Sequence, residues 1–230
     1  MLLTVLNYAG IALFAASGAL IAVRRGLDVV GVWTLGLVTG LGGGIIRDLL
    51  LGKTPPDTFQ GWENLTVAAA AATVVFVLHQ QFGRLRRMVL VLDAFGVALF
   101  ASSGALMAAH FGTSGFAATL IGITTALGGG ILRDILVNEM PLLLEDGDLL
   151  VLPALGGAAT TVVLHVNGVP DNACLIAGTA VAFAFRVMAL WREWRAPHAP
   201  EDPIGSLTAM LRRCRKGPRS AVRGREGRGS

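Results

Sequence analysis

The chain has 230 residues, of which 53% are hydrophobic and only 15% charged, with a mean hydropathy of +0.65 and a formal net charge of +4. A soluble globular protein carries about 25% charged residues, so this balance excludes that class. The apolar residues cluster in runs long enough to cross a hydrocarbon core of roughly 30 Å, and the chain reads as a polytopic membrane protein.

Seven runs qualify as spans: Leu3–Ala22, Val29–Leu51, Leu65–Phe82, Met88–Ala108, Gly115–Val137, Leu149–Val166 and Asn172–Leu190. The first is not a signal peptide. It lacks a basic leading region, Ser17-Gly18-Ala19 is its only cleavage-like stretch, and a near copy lies deep in the chain at Gly96–Ala108. On a helix, span one presents Asn7, Gly10, Phe14 and Ser17 along one stripe. Span two contains GLGGGIIRDLLLG from Gly40 to Gly52, with Thr39, Gly43 and Arg47 at four-residue spacing on one face. Span four repeats the first stripe as Asp93, Gly96, Phe100 and Ser103. Span five repeats the second as Thr125, Gly129 and Arg133 within ALGGGILRDILVN. Ser17 and Ser103, taken singly, are the kind of serine that bonds back to its own helix; their company on a polar stripe is what singles them out.

The copies align without a gap from Gly10/Gly96 through Arg47/Arg133, Asp48/Asp134 and Pro55/Pro141 to His79/His165. The chain is therefore an internal duplication of a three-span unit. An odd number of spans makes the second copy enter the membrane from the opposite side, which predicts inverted-topology repeats. The expected fold is an all-α integral membrane protein of seven transmembrane helices. Residues 3–84 form the first three-helix repeat, 88–170 the second and inverted one, and 172–195 the seventh helix. Residues 196–230 form a basic, Gly- and Arg-rich tail expected to be disordered.

Basic residues follow spans one (Arg24, Arg25), three (Arg84, Arg86, Arg87) and seven (Arg192, Arg195), and the other loops hold little beyond Lys53. The loop after span five is acidic (Glu139, Glu145, Asp146, Asp148), which weighs little in orientation. The positive-inside rule then places the N-terminus outside and the C-terminus in the cytoplasm of a multi-pass cell-membrane protein. The tail is expected to rest on anionic lipid headgroups rather than bind nucleic acid. Cys174 in span seven and Cys214 in the tail are not expected to pair, and neither a metal site nor a cofactor is expected.

Glycine in a helix interior costs roughly 1 kcal/mol relative to alanine, and an intramembrane charge costs about 2.5–3.5 kcal/mol or more. Accepting both twice points to a function at Gly42, Gly43, Gly44, Arg47 and Asp48, and at Gly128, Gly129, Gly130, Arg133 and Asp134. Triple glycines let spans two and five kink or unwind beside a polar path, or let neighbouring backbones approach closely. Adjacent residues do not share a helix face, so Arg47 is expected to find a partner other than Asp48, such as Asp93 or the other repeat's carboxylate. A charge network that only ties the halves together is the structural alternative.

With GGG-x-x-R-D on the second and fifth of seven spans, the chain from about Leu3 to Leu190 resembles the prokaryotic branch of the trimeric intracellular cation channels. The resemblance implies a homotrimer with a pore in each protomer, kinked at the glycines of spans two and five, and passing K⁺ and Na⁺ with little discrimination. It carries the two Gly-Gly-Gly segments with their Arg-Asp pairs; the polar residues Asn7, Ser17, Thr39, Asp93, Ser103 and Thr125 come from periodicity instead. The animal branch has a lysine-containing motif on span two, where this chain has GLGGGIIRD. The same sequence group also carries the label of glycine transporter.

A secondary transporter is the alternative, with one midplane site for glycine or another small solute between rocking halves. An enzyme is excluded: GLGGG interrupts a membrane span instead of following a strand in a βαβ unit, and neither a metal-ligand cluster nor a nucleophile–base pair stands out. His79 and His165 fall at equivalent span ends, where interfacial packing is expected.

Overall fold

The computed structural model describes residues 1–78, 85–141, 143–144 and 150–192. His79, Arg84, the acidic residues Glu145, Asp146 and Asp148, Arg195, and the tail with Cys214 lie outside the described residues. Within them the chain forms seven α-helices and a short 3-10 turn at Asp57–Phe59: α1 (Leu2–Arg24), α2 (Val29–Leu50), α3 (Glu63–Leu78), α4 (Leu85–His110), α5 (Gly115–Leu136), α6 (Val151–Val166) and α7 (Asp171–Trp191). Five are long and apolar enough to cross a membrane; α3 and α6 are apolar helices of 16 residues each.

Local chemistry sets the helix ends, and the duplication repeats it. The Asp28 side chain caps α2 by accepting from the Gly31 amide at 2.8 Å, and its counterpart Ser114 caps α5 by accepting from the Ala117 amide. Short polar side chains at this position satisfy amides that the first turn leaves unpaired. After α2 the chain turns through Gly52 at φ 71°, and the equivalent turn after α5 uses Asn138 at φ 55°. Asn is the residue that best replaces glycine in this left-handed conformation.

The packing repeats with the same symmetry. Helix α1 packs on α2 and α3 as α4 packs on α5 and α6, while α1 meets α4 and α2 meets α5 across the repeats. These cross-repeat pairs are antiparallel. A Cβ on Gly10 would strike the Phe100 ring and one on Gly96 the Phe14 ring. One on Gly43 would strike the Thr125 carbonyl and one on Gly129 the Thr39 carbonyl. Residue numbers rise on one helix as they fall on its partner, the arrangement that inverted repeats require. Helix α7, which has no counterpart, lies against α4 and α6.

Of the readings open for the glycine triplets, unwinding is not seen. Helices α2 and α5 are α-helical without interruption from Val29 to Leu50 and from Gly115 to Leu136. The triplets serve close approach instead. In each, the middle glycine meets the opposite helix's backbone: the position of its Cβ would lie 2.2 Å from a carbonyl oxygen. The first glycine meets an opposing side chain, Leu132 for Gly42 and Ile46 for Gly128. The third, Gly44 or Gly130, has only the tip of the arginine one turn on within 4 Å. One triplet thus meets three different surroundings, and only the first two positions have a neighbour that a side chain would strike.

Candidate functional site: two mouths related by the repeat

A cavity of about 350 Å³ opens at the face that carries the N-terminus. Helix α1 lines it with Thr4, Asn7, Tyr8 and Ile11, α2 with Gly40, Leu41, Gly44 and Arg47, and α4 with Phe100 and Met107. The segment joining α2 to α3 closes its rim with Asp57, Thr58, Gln60, Glu63 and Asn64. A second void, of about 20 Å³, lies toward the other face and is lined by Phe14, Asp93, Val97, Ala126, Leu127, Gly130, Ile131, Arg133 and Asp134. Seven of these are the repeat partners of residues around the first cavity: Phe14 of Phe100, Asp93 of Asn7, Val97 of Ile11, Ala126 of Gly40, Leu127 of Leu41, Gly130 of Gly44 and Arg133 of Arg47. The two are the same cavity in the two repeats, one wide and one nearly shut. Between them the rings of Phe14 and Phe100 meet with centroids 5.4 Å apart.

The charges explain the inequality. Arg133 is 1% exposed and makes three sets of bonds. Its Nη1 donates to both carboxylate oxygens of Asp93, at 2.8 and 2.9 Å. The same nitrogen donates to the Ser17 hydroxyl, and Nε donates to Asp134 at 2.9 Å. Ser17 in turn donates to Asp93 at 2.7 Å. This network ties α1, α4 and α5 together across the small void. In the first repeat, Asn7 stands where Asp93 would be, and it supplies no negative charge. Arg47 keeps Asp48 as its carboxylate partner, through Nε at 2.9 Å and Nη2 at 2.8 Å, and borders the wide cavity. Asp48 also accepts from the Asp57 amide at 2.9 Å, which anchors the rim segment.

Two expectations need correction. Arg47 does pair with its neighbour Asp48, as Arg133 does with Asp134. The rule that adjacent residues face apart describes Cβ directions, whereas the guanidinium ends a long flexible arm that folds back along the helix surface. Burial makes that fold favourable, because an unpaired charge here would be far costlier. Asp93, offered as a partner for Arg47, is bound by Arg133 instead. Of the hydroxyls, Ser103, Thr39 and Thr125 bond back to Leu99, Leu35 and Ile121 on their own helices. Ser17 does not, because Asp93 and Arg133 are within reach. Thr39 and Thr125 also fill the space that Gly18 and Gly104 leave open, so they set helix spacing rather than line either cavity.

The sequence reading passed over Tyr8, Gln60, Glu63 and Asn64 at the rim. Asn64 accepts a 3.5 Å contact from the Asn7 amide. The signal available was the group of polar residues Gln60, Glu63 and Asn64 just before span three. Arg186 on α7 is a further buried charge that it passed over.

The comparisons with known proteins agree with this architecture. A family model described as "Glycine transporter" matches twice, at residues 4–80 and 90–166, once per repeat. A channel structure from Rhodobacter sphaeroides, described as a trimeric intracellular cation (TRIC) channel orthologue, superimposes with a TM-score of 0.80 at 38% identity, covering 83% of this chain and 98% of that one. A second TRIC cation channel structure gives 0.79 at 36% identity, covering 87% and 98%. This chain belongs to the TRIC channel family. Among the family's curated members, the inner membrane protein YadS of Escherichia coli K12 is 34% identical over 206 residues, 89% of this chain and 100% of its own length. A membrane protein of Streptomyces coelicolor is 42% identical over 208 residues, covering 90% and 95%. TRIC channels are not enzymes, and their place is in the membrane.

Proposed function

We propose that this protein is a cation channel, with a path through each protomer that joins the two mouths past the Phe14–Phe100 pair. The observation that carries the reading is the repeat-related pair of cavities, each beside an arginine held by a neighbouring carboxylate. The Glu63 carboxylate at the wide mouth favours cations there, while that of Asp57 is paired with Lys53. Each arginine's own aspartate offsets the repulsion it would exert on a passing cation. Monovalent cations such as K⁺ and Na⁺ fit a path whose charge comes in balanced pairs instead of an acidic ring. The glycines contribute by letting α2 and α5 cross closely beside the path, not by breaking. The protein is expected to work as a homotrimer, with the wide mouth outside and the basic tail in the cytoplasm against anionic lipid.

The inequality of the mouths favours one second reading. A carrier of glycine or another small solute would alternate between two such states, one mouth open while the other is sealed. Purified protein in planar bilayers separates the two. In an asymmetric potassium salt of an impermeant anion, unitary currents reversing near the K⁺ potential are expected. Saturable uptake of radiolabelled glycine without unitary current would establish the carrier instead.

A substitution in the wide cavity tests the path without touching the helix crossing. Gly44→Leu places its Cβ where only the Arg47 tip stands within 4 Å, on the wall of the wide cavity. The protein is expected to fold and assemble normally but to lose most of its flux. Full flux from folded Gly44→Leu protein would take the path out of this cavity.

A further inference from the structure

At the face that carries the N-terminus three helix ends converge. His110 is the last residue of α4, His165 lies in the last turn of α6, and Asp171 opens α7. The two imidazoles take one carboxylate oxygen each: His110 Nε2 lies 3.0 Å from Oδ2 and His165 Nδ1 lies 3.3 Å from Oδ1. Their rings meet edge to face with centroids 4.9 Å apart. One donor atom from each of the three residues lies within 4.8 Å of the other two, and among the described residues no other group of His, Cys, Asp and Glu does this. Each residue type has a local reason, since a histidine suits a helix C-terminus and an aspartate an N-terminus. Those reasons do not require the three to meet at one point.

We propose that His110, His165 and Asp171 form a binding site for a divalent transition-metal ion, with Zn²⁺ the best fit. Two imidazole nitrogens and a carboxylate are a donor set suited to zinc, which three protein ligands hold with a fourth position left to water. Ligand atoms bound at about 2.0–2.2 Å in a tetrahedron sit roughly 3.3 Å apart, close to the two His–Asp separations already present. Those two separations run to different oxygens of the carboxylate, so the Asp171 carboxylate turns to present one oxygen, or binds through both, as the two imidazoles draw together. All three side chains are partly exposed, so an ion has a route in from solvent. Bound there, it clips the ends of α4 and α6 to the start of α7, the one helix the duplication does not provide. The first repeat has no such site: His79 is the counterpart of His165, but Arg24 stands at the position of His110 and Leu85 at that of Asp171.

The test uses the full-length protein, purified in detergent and stripped of metal, titrated with Zn²⁺ against a chromophoric chelator. One tight Zn²⁺ per protomer is expected, with affinity reduced at least about tenfold in Asp171→Asn and in His165→Gln. His198→Ala in the tail should leave it unchanged. Equal affinity in wild type and both variants, or loss in His198→Ala alone, overturns the site. Should a variant fail to fold, the wild type alone decides. Zn²⁺ is expected to protect His110 and His165, but not His198, from diethylpyrocarbonate, read by peptide mass spectrometry. Modification of both histidines at an unchanged rate in saturating Zn²⁺ overturns the proposal.

Discussion

Gly43→Ala is expected to destabilise the protein severely, and Gly129→Ala equally, while Gly44→Ala costs nothing. A Cβ at position 43 would sit 2.2 Å from the Thr125 carbonyl oxygen, and one at 129 the same distance from that of Thr39. Both obstacles are helix backbone, so no rotamer change relieves them. To restore ordinary contact α2 and α5 must part by roughly 1 Å, and dispersion attraction is lost along the crossing when they do. Overpacking of this kind typically costs 1–3 kcal/mol, and about 3 kcal/mol or more is expected where the clash is with backbone. At Gly42 the nearest atom is the end of the Leu132 side chain, at 2.7 Å, which can move. The expected order of thermal stability in detergent is therefore Gly44→Ala at wild-type level, Gly42→Ala slightly below, and Gly43→Ala far below. If Gly43→Ala melts with the wild type, the glycines do not set the crossing. A loss of flux with unchanged melting would restore the idea of a hinge.

That series also marks what the sequence could convey. The seven helices were legible because their apolar runs are long and recur in matching pairs across the duplication. The inverted arrangement followed from the odd span count alone. The role of the triplets was not legible. A glycine lowers helix propensity whether the helix breaks or only packs, and the choice depends on which atom of another helix lies opposite. Only the antiparallel register of α2 on α5 reveals that this atom is a carbonyl oxygen. The Arg47–Asp48 pair was misjudged for a related reason, because face rules ignore how far an arginine reaches. The cluster of His110, His165 and Asp171 left no local pattern, since its members come from three helices and two of them were passed over. The substitution of Asn7 for Asp93 was visible, but its meaning rests on where the Arg133 guanidinium ends.

That last difference supports the second large effect: Asp93→Asn is expected to open the narrow mouth. The change gives the second repeat the residue type that the first already has at Asn7, beside the wide cavity. Arg133 would keep Asp134 through Nε but lose the carboxylate that holds its Nη1 across to α4. Ser17, which donates to that carboxylate at 2.7 Å, would lose its charged acceptor as well. The network joining α1, α4 and α5 would then rest on bonds from the Arg133 guanidinium to neutral acceptors. Breaking one partner of a buried ion pair costs about 3–5 kcal/mol, and the upper part of that range is not expected here because Asp134 remains. The variant should melt at lower temperature and yet conduct more, with higher open probability in bilayers. Arg133→Ala removes the same link but leaves the Asp93 carboxylate buried without the guanidinium that binds both its oxygens, so it should be the less stable of the two. The pairing of lower stability with greater flux is the discriminating result. A merely structural ion pair would give lower stability with flux unchanged or reduced, and that outcome would separate the Arg133 network from the gate.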